Sequence, residues 1–176
     1  MECVIEPGKI IRKLSADVEK PKALLVVDDL AGTGKTISDS IQKLLDEVES
    51  QLATHNIPLF IIILYATEDA EIKIRSVLSK HQKINAQLHI CELLTNDERA
   101  FPENGIDLWD DQKQRDMAKA LCVKLGAGLY KDPLGYDSQG LLIAFPETCP
   151  NNCLPIIFAS RAGEKPWNAI LPRPAS

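Results

Sequence analysis

The chain has 176 residues, a length that suits one domain and leaves little room for two. Its 20 basic and 25 acidic residues leave a formal charge of −5, which argues against a broad surface for nucleic acid. Apolar residues at 45% and charged residues at 26% suit an ordinary globular protein, so neither disorder nor a disulfide framework is expected.

Residues 1–21 carry few structural cues and form a lead segment ahead of a domain over 22–176. The run 22–28 reads as a buried strand, because Ala23-Leu24-Leu25-Val26-Val27 is continuously apolar. Gly32-Thr33-Gly34 is a tight turn, and a helix is predicted from Lys35 or Thr36. Its apolar positions Ile37, Ile41, Leu44, Leu45, Val48 and Leu52 fall on one helical face, and Asn56 and Pro58 break the pattern. The run 59–64 is a second buried strand. Thr67 is placed to cap the next helix, with Glu68, Asp69 and Glu71 favoured by its dipole and Ile74, Val77 and Leu78 on its inner face. A third strand is predicted over 86–93, a polar loop over 95–108, and a helix over 111–125 stopped by Gly126. A fourth strand is expected over 140–145, then a proline-rich tail with one short strand over 156–159. Alternating strands and helices point to an α/β fold, a Rossmann-like parallel sheet with helices on both faces.

No segment is long and apolar enough to span a bilayer: the longest apolar run, 57–66, falls short and contains Pro58. The acidic start lacks the order of a signal peptide. The five scattered cysteines fit free thiols in a reducing cytoplasm, and Cys149 and Cys153 lack two further ligands at zinc spacing.

The segment 26–36 carries the chemistry. Asp28 and Asp29 close a strand, Ala31-Gly32-Thr33-Gly34 turns tightly, and Lys35-Thr36 opens a helix. Ligands of open α/β sheets bind outside the carboxyl ends of strands. A helix start offers unpaired N–H groups to an anion, glycines let the backbone approach it, and Thr33 and Thr36 add hydroxyl donors. The carboxylates only accept, so they suit sugar hydroxyls or a divalent cation. A structural reading, with the acids and glycines merely making the turn, stands beside this one. A P-loop is the rival, since Gly34-Lys35-Thr36 has its ending, but the earlier glycine of that pattern falls at Asp29.

This segment resembles the phosphoribosyl-pyrophosphate (PRPP) motif of type I phosphoribosyltransferases. In the C-terminal third, the stretch 130–145, then Pro150-Asn151-Asn152-Cys153-Leu154-Pro155, Trp167 and Pro172-Arg173 are similar to the phosphoribosyltransferase-like domain of bacterial conflict systems, PRTase-CE. The resemblance implies a PRPP or ribose 5-phosphate ligand with Mg²⁺, and a role in antiviral defence beside a protein partner from the same operon. It implies Asp28 and Asp29 at the ribose hydroxyls, and Ala31, Gly32, Thr33, Gly34, Lys35 and Thr36 around the 5′-phosphate. Gly32 stands where purine-salvage enzymes carry an acid, so no catalytic residue is assigned. The wider superfamily has a longer upstream part, so the expectation is a chain truncated, split or completed by a partner. A non-catalytic nucleotide sensor is the alternative function.

Elsewhere, Asp107, Asp110 and Asp111 around Trp109 are best explained as an acidic helix start, although a metal is conceivable. Asn151 and Asn152 suit loop hydrogen bonding as well as a ligand. Trp167 reads as a packing anchor. Arg161, Lys165 and Arg173 could reach phosphates but more simply face solvent.

Overall fold

The computed structural model describes residues 9–10, 14, 21–102, 108–146, 149–161 and 166–172. The chain divides into two compact units, Met1–Leu93 and Leu94–Ser176, a division that falls inside the predicted 22–176 domain. The first unit holds β1 (Leu24–Ala31), α1 (Lys35–Thr54), β2 (Leu59–Thr67), α2 (Glu68–Leu78) and β3 (Ala86–Leu94, whose last residue passes into the second unit). The strands form one parallel sheet in the order β1-β2-β3, with β1 and β2 in register from Leu24 opposite Leu59 to Ala31 opposite Ala66. This is the predicted α/β parallel sheet, but the expected helices on both faces are not found among the described residues of this unit, where α1 and α2 cover one face only.

Stepping the same way across the sheet twice, with right-handed crossovers, puts both helices on one face. Ile41, Leu45, Val48 and Leu52 of α1 and Ala70 and Ile74 of α2 accordingly share one core with Leu59, Ile61 and Ile63 of β2. Complete burial of each large aliphatic chain contributes about 1.5–3 kcal/mol. On the opposite face Leu25 and Val27 are 55% and 66% exposed. The prediction that β1 is a buried strand therefore fails: Leu24, Val26, Asp28 and Leu30 are half-buried on the covered face, and only Ala31 is fully buried. A continuous apolar run does not distinguish a strand covered on one face from one covered on both. The predicted boundaries of α1 and the Thr67 cap are borne out: Thr67 Oγ1 accepts from Ala70 N at 3.2 Å.

The second unit contains α3 (Gln112–Gly126), the four-residue α4 (Pro155–Phe158) and two short 3₁₀ turns. Ala100, Cys122, Leu134 and Leu154 form its core. Two predicted strands are absent here. In 140–145 only Leu141 and Phe145 make single bridges; Leu141 lies between Arg99 and Cys153. Gly140 turns the chain at φ 54°, and the Ile143 carbonyl accepts from the Cys153 thiol at 2.9 Å instead of joining a ladder. The tail segment 156–159 is helical up to Phe158, because Pro155 sits at the first helical position with its φ already set. Gly126 is the last residue of α3 rather than the left-handed stop beyond it. A Cβ there would lie 2.3 Å from the Pro133 carbonyl oxygen, so close backbone approach selects this glycine. No helix among the described residues is long and apolar enough to cross a membrane.

Candidate functional site

The loop between β1 and α1 is built by constraints from both sides. Gly34 is the N-cap of α1 and adopts the left-handed conformation at φ 70°, ψ −4°. A Cβ on Gly34 would stand 2.6 Å from Ala70 Cα, so the bare backbone is needed to bring the loop against α2. The helix ladder begins with Ser38 N donating to Gly34 O at 3.0 Å, which leaves the N–H groups before it without intrahelical acceptors. Lys35 N donates a long bond, 3.4 Å, to Thr33 Oγ1.

Two carbonyls of the loop are held from the other side. Thr67 Oγ1 donates to Gly32 O, and Lys73 Nζ donates to Thr33 O at 2.7 Å. No peptide in the described chain is cis. In a trans peptide the carbonyl and the following N–H point in opposite directions. The Thr33 and Gly34 N–H groups are thus directed away from Thr67 and Lys73. Successive amides ending in a left-handed residue make a concavity suited to an anion.

Ala31, Gly32, Thr33 and Gly34 are buried, whereas Lys35 and Thr36 are exposed on the first turn of α1. The Lys35 ammonium reaches along the helix to Asp39, 2.8 Å away, with both side chains about two-thirds exposed. The two acids alternate across β1. Asp28 is half-buried on the helix-covered face, and Asp29 is exposed on the opposite face. Asp28 Oδ1 accepts from Asp29 N at 3.0 Å.

Burial raises the pKa of Asp28, and the neighbouring Asp29 charge adds to the shift; the bond from Asp29 N opposes both without cancelling them. The charged Asp28 is therefore a cost to folding. The unfolded carboxyl titrates near 3.9. Between that value and the raised folded one, the native state binds more protons, so this contribution to stability declines as pH rises through the window. Asp28→Asn is expected to raise the melting temperature at pH 7 and to lose that advantage below about pH 3.9. Thermal melts at both pH values check this; a variant less stable than the wild type at pH 7 would contradict it.

Other candidates resolve into structure. Asp111 caps α3 by accepting from Gln114 N at 2.7 Å, and Asp110 is joined to the Gln114 side chain. Asp107 lies outside the described residues. Asp110 and Asp111 thus belong to a helix start, and the described residues contain no cluster of three metal-ligating side chains. Buried Asn152 donates to Gln139 Oε1 at 2.8 Å, while Asn151 Nδ2 lies 3.4 Å from the Tyr130 hydroxyl. Trp167 donates to Ile156 O at 3.1 Å, consistent with an anchor. Arg161 donates to Gly128 O, and Lys165 and Arg173 lie outside the described residues. Cys91, Cys122, Cys149 and Cys153 are free thiols.

Sequence reasoning missed Lys73. Helical periodicity assigns it only to the solvent side of α2. No signal in the sequence links it to the loop, because only the fold brings Ala70 against Gly34 and Lys73 onto Thr33 O.

A parallel α/β unit of this kind is consistent with a phosphoribosyltransferase-like fold. The chain belongs to the PRTase-CE family, whose family model matches residues 1–173 and so takes in both units. No curated protein and no solved structure matches it.

Proposed function

We propose that the segment 28–36 binds PRPP or a nucleotide carrying a ribose 5-phosphate, in a cytoplasmic protein of a bacterial antiviral defence system that acts with a protein partner. The 5′-phosphate rests on N–H groups of residues 32–36, and Asp28 and Asp29 accept hydrogen bonds from ribose hydroxyls. The outward Thr33 and Gly34 amides carry this reading: neither makes a hydrogen bond within the described residues. An anion at a helix start satisfies such donors and gains from the dipole.

Mg²⁺ would enter on the pyrophosphate of PRPP. That ion is usually held by substrate phosphates, waters and one or two carboxylates. The paired acids fit this role, and Asp29 is the exposed one. When bound, the ion neutralises pyrophosphate charge. The chain's own contribution is to orient the ribose phosphate and hold its charge. Gly32 brings no acidic side chain to the loop, and its carbonyl is already tied to Thr67. This favours a ligand-sensing module over an active transferase.

The pairing of Lys35 with Asp39 favours this site over a P-loop, in which the lysine grips the phosphates. Asp29→Asn should weaken PRPP binding about ten- to a hundredfold, the equivalent of a charge-assisted hydrogen bond of roughly 1.5–3 kcal/mol. Lys35→Ala should have the smaller effect. Calorimetric titration of both variants with PRPP and ATP tests this. Tight ATP binding that requires Lys35 and ignores Asp29 would overturn the proposal.

A further inference from the structure

We infer that Lys73, outside the acidic motif, is a positioning residue that aims and polarises the Gly34 amide and makes the loop select a phosphate dianion. The inference rests on the phosphate-binding reading of residues 32–36. It is drawn from the 2.7 Å bond between Lys73 Nζ and Thr33 O. Thr33 O and Gly34 N belong to one peptide. A cationic donor on the carbonyl draws electron density through that peptide and strengthens its N–H as a donor. The same bond fixes the peptide plane, so the Gly34 N–H keeps its direction without a ligand.

Thr67 does the equivalent for the preceding peptide through Gly32 O, but as a neutral hydroxyl. The two tethers differ in charge and therefore in their effect on an anion. The first turn of α2 is otherwise acidic, with Glu68, Asp69 and Glu71, and Ala70 of that turn packs on Gly34. Arg75 is paired with Glu71 at 2.7 Å. Lys35 is paired with Asp39 on the outer surface of α1. Lys73 is thus a cation bonded directly to the loop, and its charge opposes the acidic turn beside it.

The test compares ribose 5-phosphate, a dianion near neutral pH, with ribose 5-sulfate, which keeps the shape but carries one negative charge. Calorimetry on the full chain should show that Lys73→Met weakens ribose 5-phosphate about tenfold and ribose 5-sulfate less than about threefold, with Lys73→Arg restoring most of the loss. A merely structural tether would weaken both ligands equally, and that result would overturn the inference, as would unchanged phosphate affinity. A ligand-free readout keeps the two ideas separate. Lys73→Met should move the Gly34 amide ¹⁵N resonance, because the carbonyl of its own peptide loses a donor; an unmoved resonance also overturns the inference. A wild-type chain that binds neither ligand, with the resonance shift present, would instead reject the phosphate-binding reading and with it the selectivity assigned to Lys73.

Discussion

Gly34→Ala is expected to lose both stability and ligand binding. Two costs coincide. An L-residue at φ 70° pays about 1–2 kcal/mol for the left-handed conformation. The new methyl would also meet Ala70 Cα at 2.6 Å, which is backbone of α2 and cannot swing aside as a flexible side chain would. Overpacking of this kind costs about 1–3 kcal/mol, for a total of roughly 2–5 kcal/mol. Relief requires α2 and the loop to separate. That stretches the Lys73 and Thr67 tethers and turns the Thr33 and Gly34 amides from their common direction. Hydrogen exchange of α1 and β2 amides should therefore accelerate, and ribose 5-phosphate binding should fall below detection in calorimetry. A variant with wild-type exchange and affinity would show that the close approach does not hold the loop.

Gly135→Ala should disrupt the second unit by a comparable margin. Gly135 sits at φ 89°, ψ 165°, a region open essentially to glycine alone. A Cβ there would lie 2.3 Å from Cys153 O and 2.5 Å from Asn152 O. The backbone on either side is committed: Tyr136 N donates to Asn151 O at 2.7 Å, and Leu141 N donates to Asn152 O at 3.0 Å. The strained conformation costs about 1–3 kcal/mol and the overlap about as much again, roughly 2–6 kcal/mol together. Both tryptophans, Trp109 and Trp167, belong to this unit, so their fluorescence reports its unfolding. The urea midpoint read by fluorescence should fall sharply. An unchanged midpoint would mean that the Asn151-Asn152 segment can retreat at little cost.

These two glycines show where sequence reasoning works and where it stops. The turn at Gly34 is legible because glycine between a strand and a helix, after two acids, is a local pattern. The partner that demands it, Ala70, is 36 positions later and is joined only by the fold. The Asn151-Asn152 pair reads equally as ligand contacts or loop supports. Only the bond from Asn152 to Gln139 assigns Asn152 to the loop's internal hydrogen bonding.

The strands and helices of the first unit were determined by sequence alone, since apolar periodicity and the Thr67 cap are local properties set by backbone geometry and side-chain burial. The acidic motif and the Asn-Asn segment likewise sufficed for the family. Tertiary structure decided what periodicity does not encode. It showed that β1 is covered on one face, because strand order puts both helices on the same side. It replaced the predicted strand at 140–145 with single bridges, because a left-handed glycine and a thiol occupy the ladder's place. It brought Lys73, 40 residues from Thr33, onto that residue's carbonyl. The direction of an amide depends on what holds its carbonyl, and for this loop those groups come from the end of β2 and from α2.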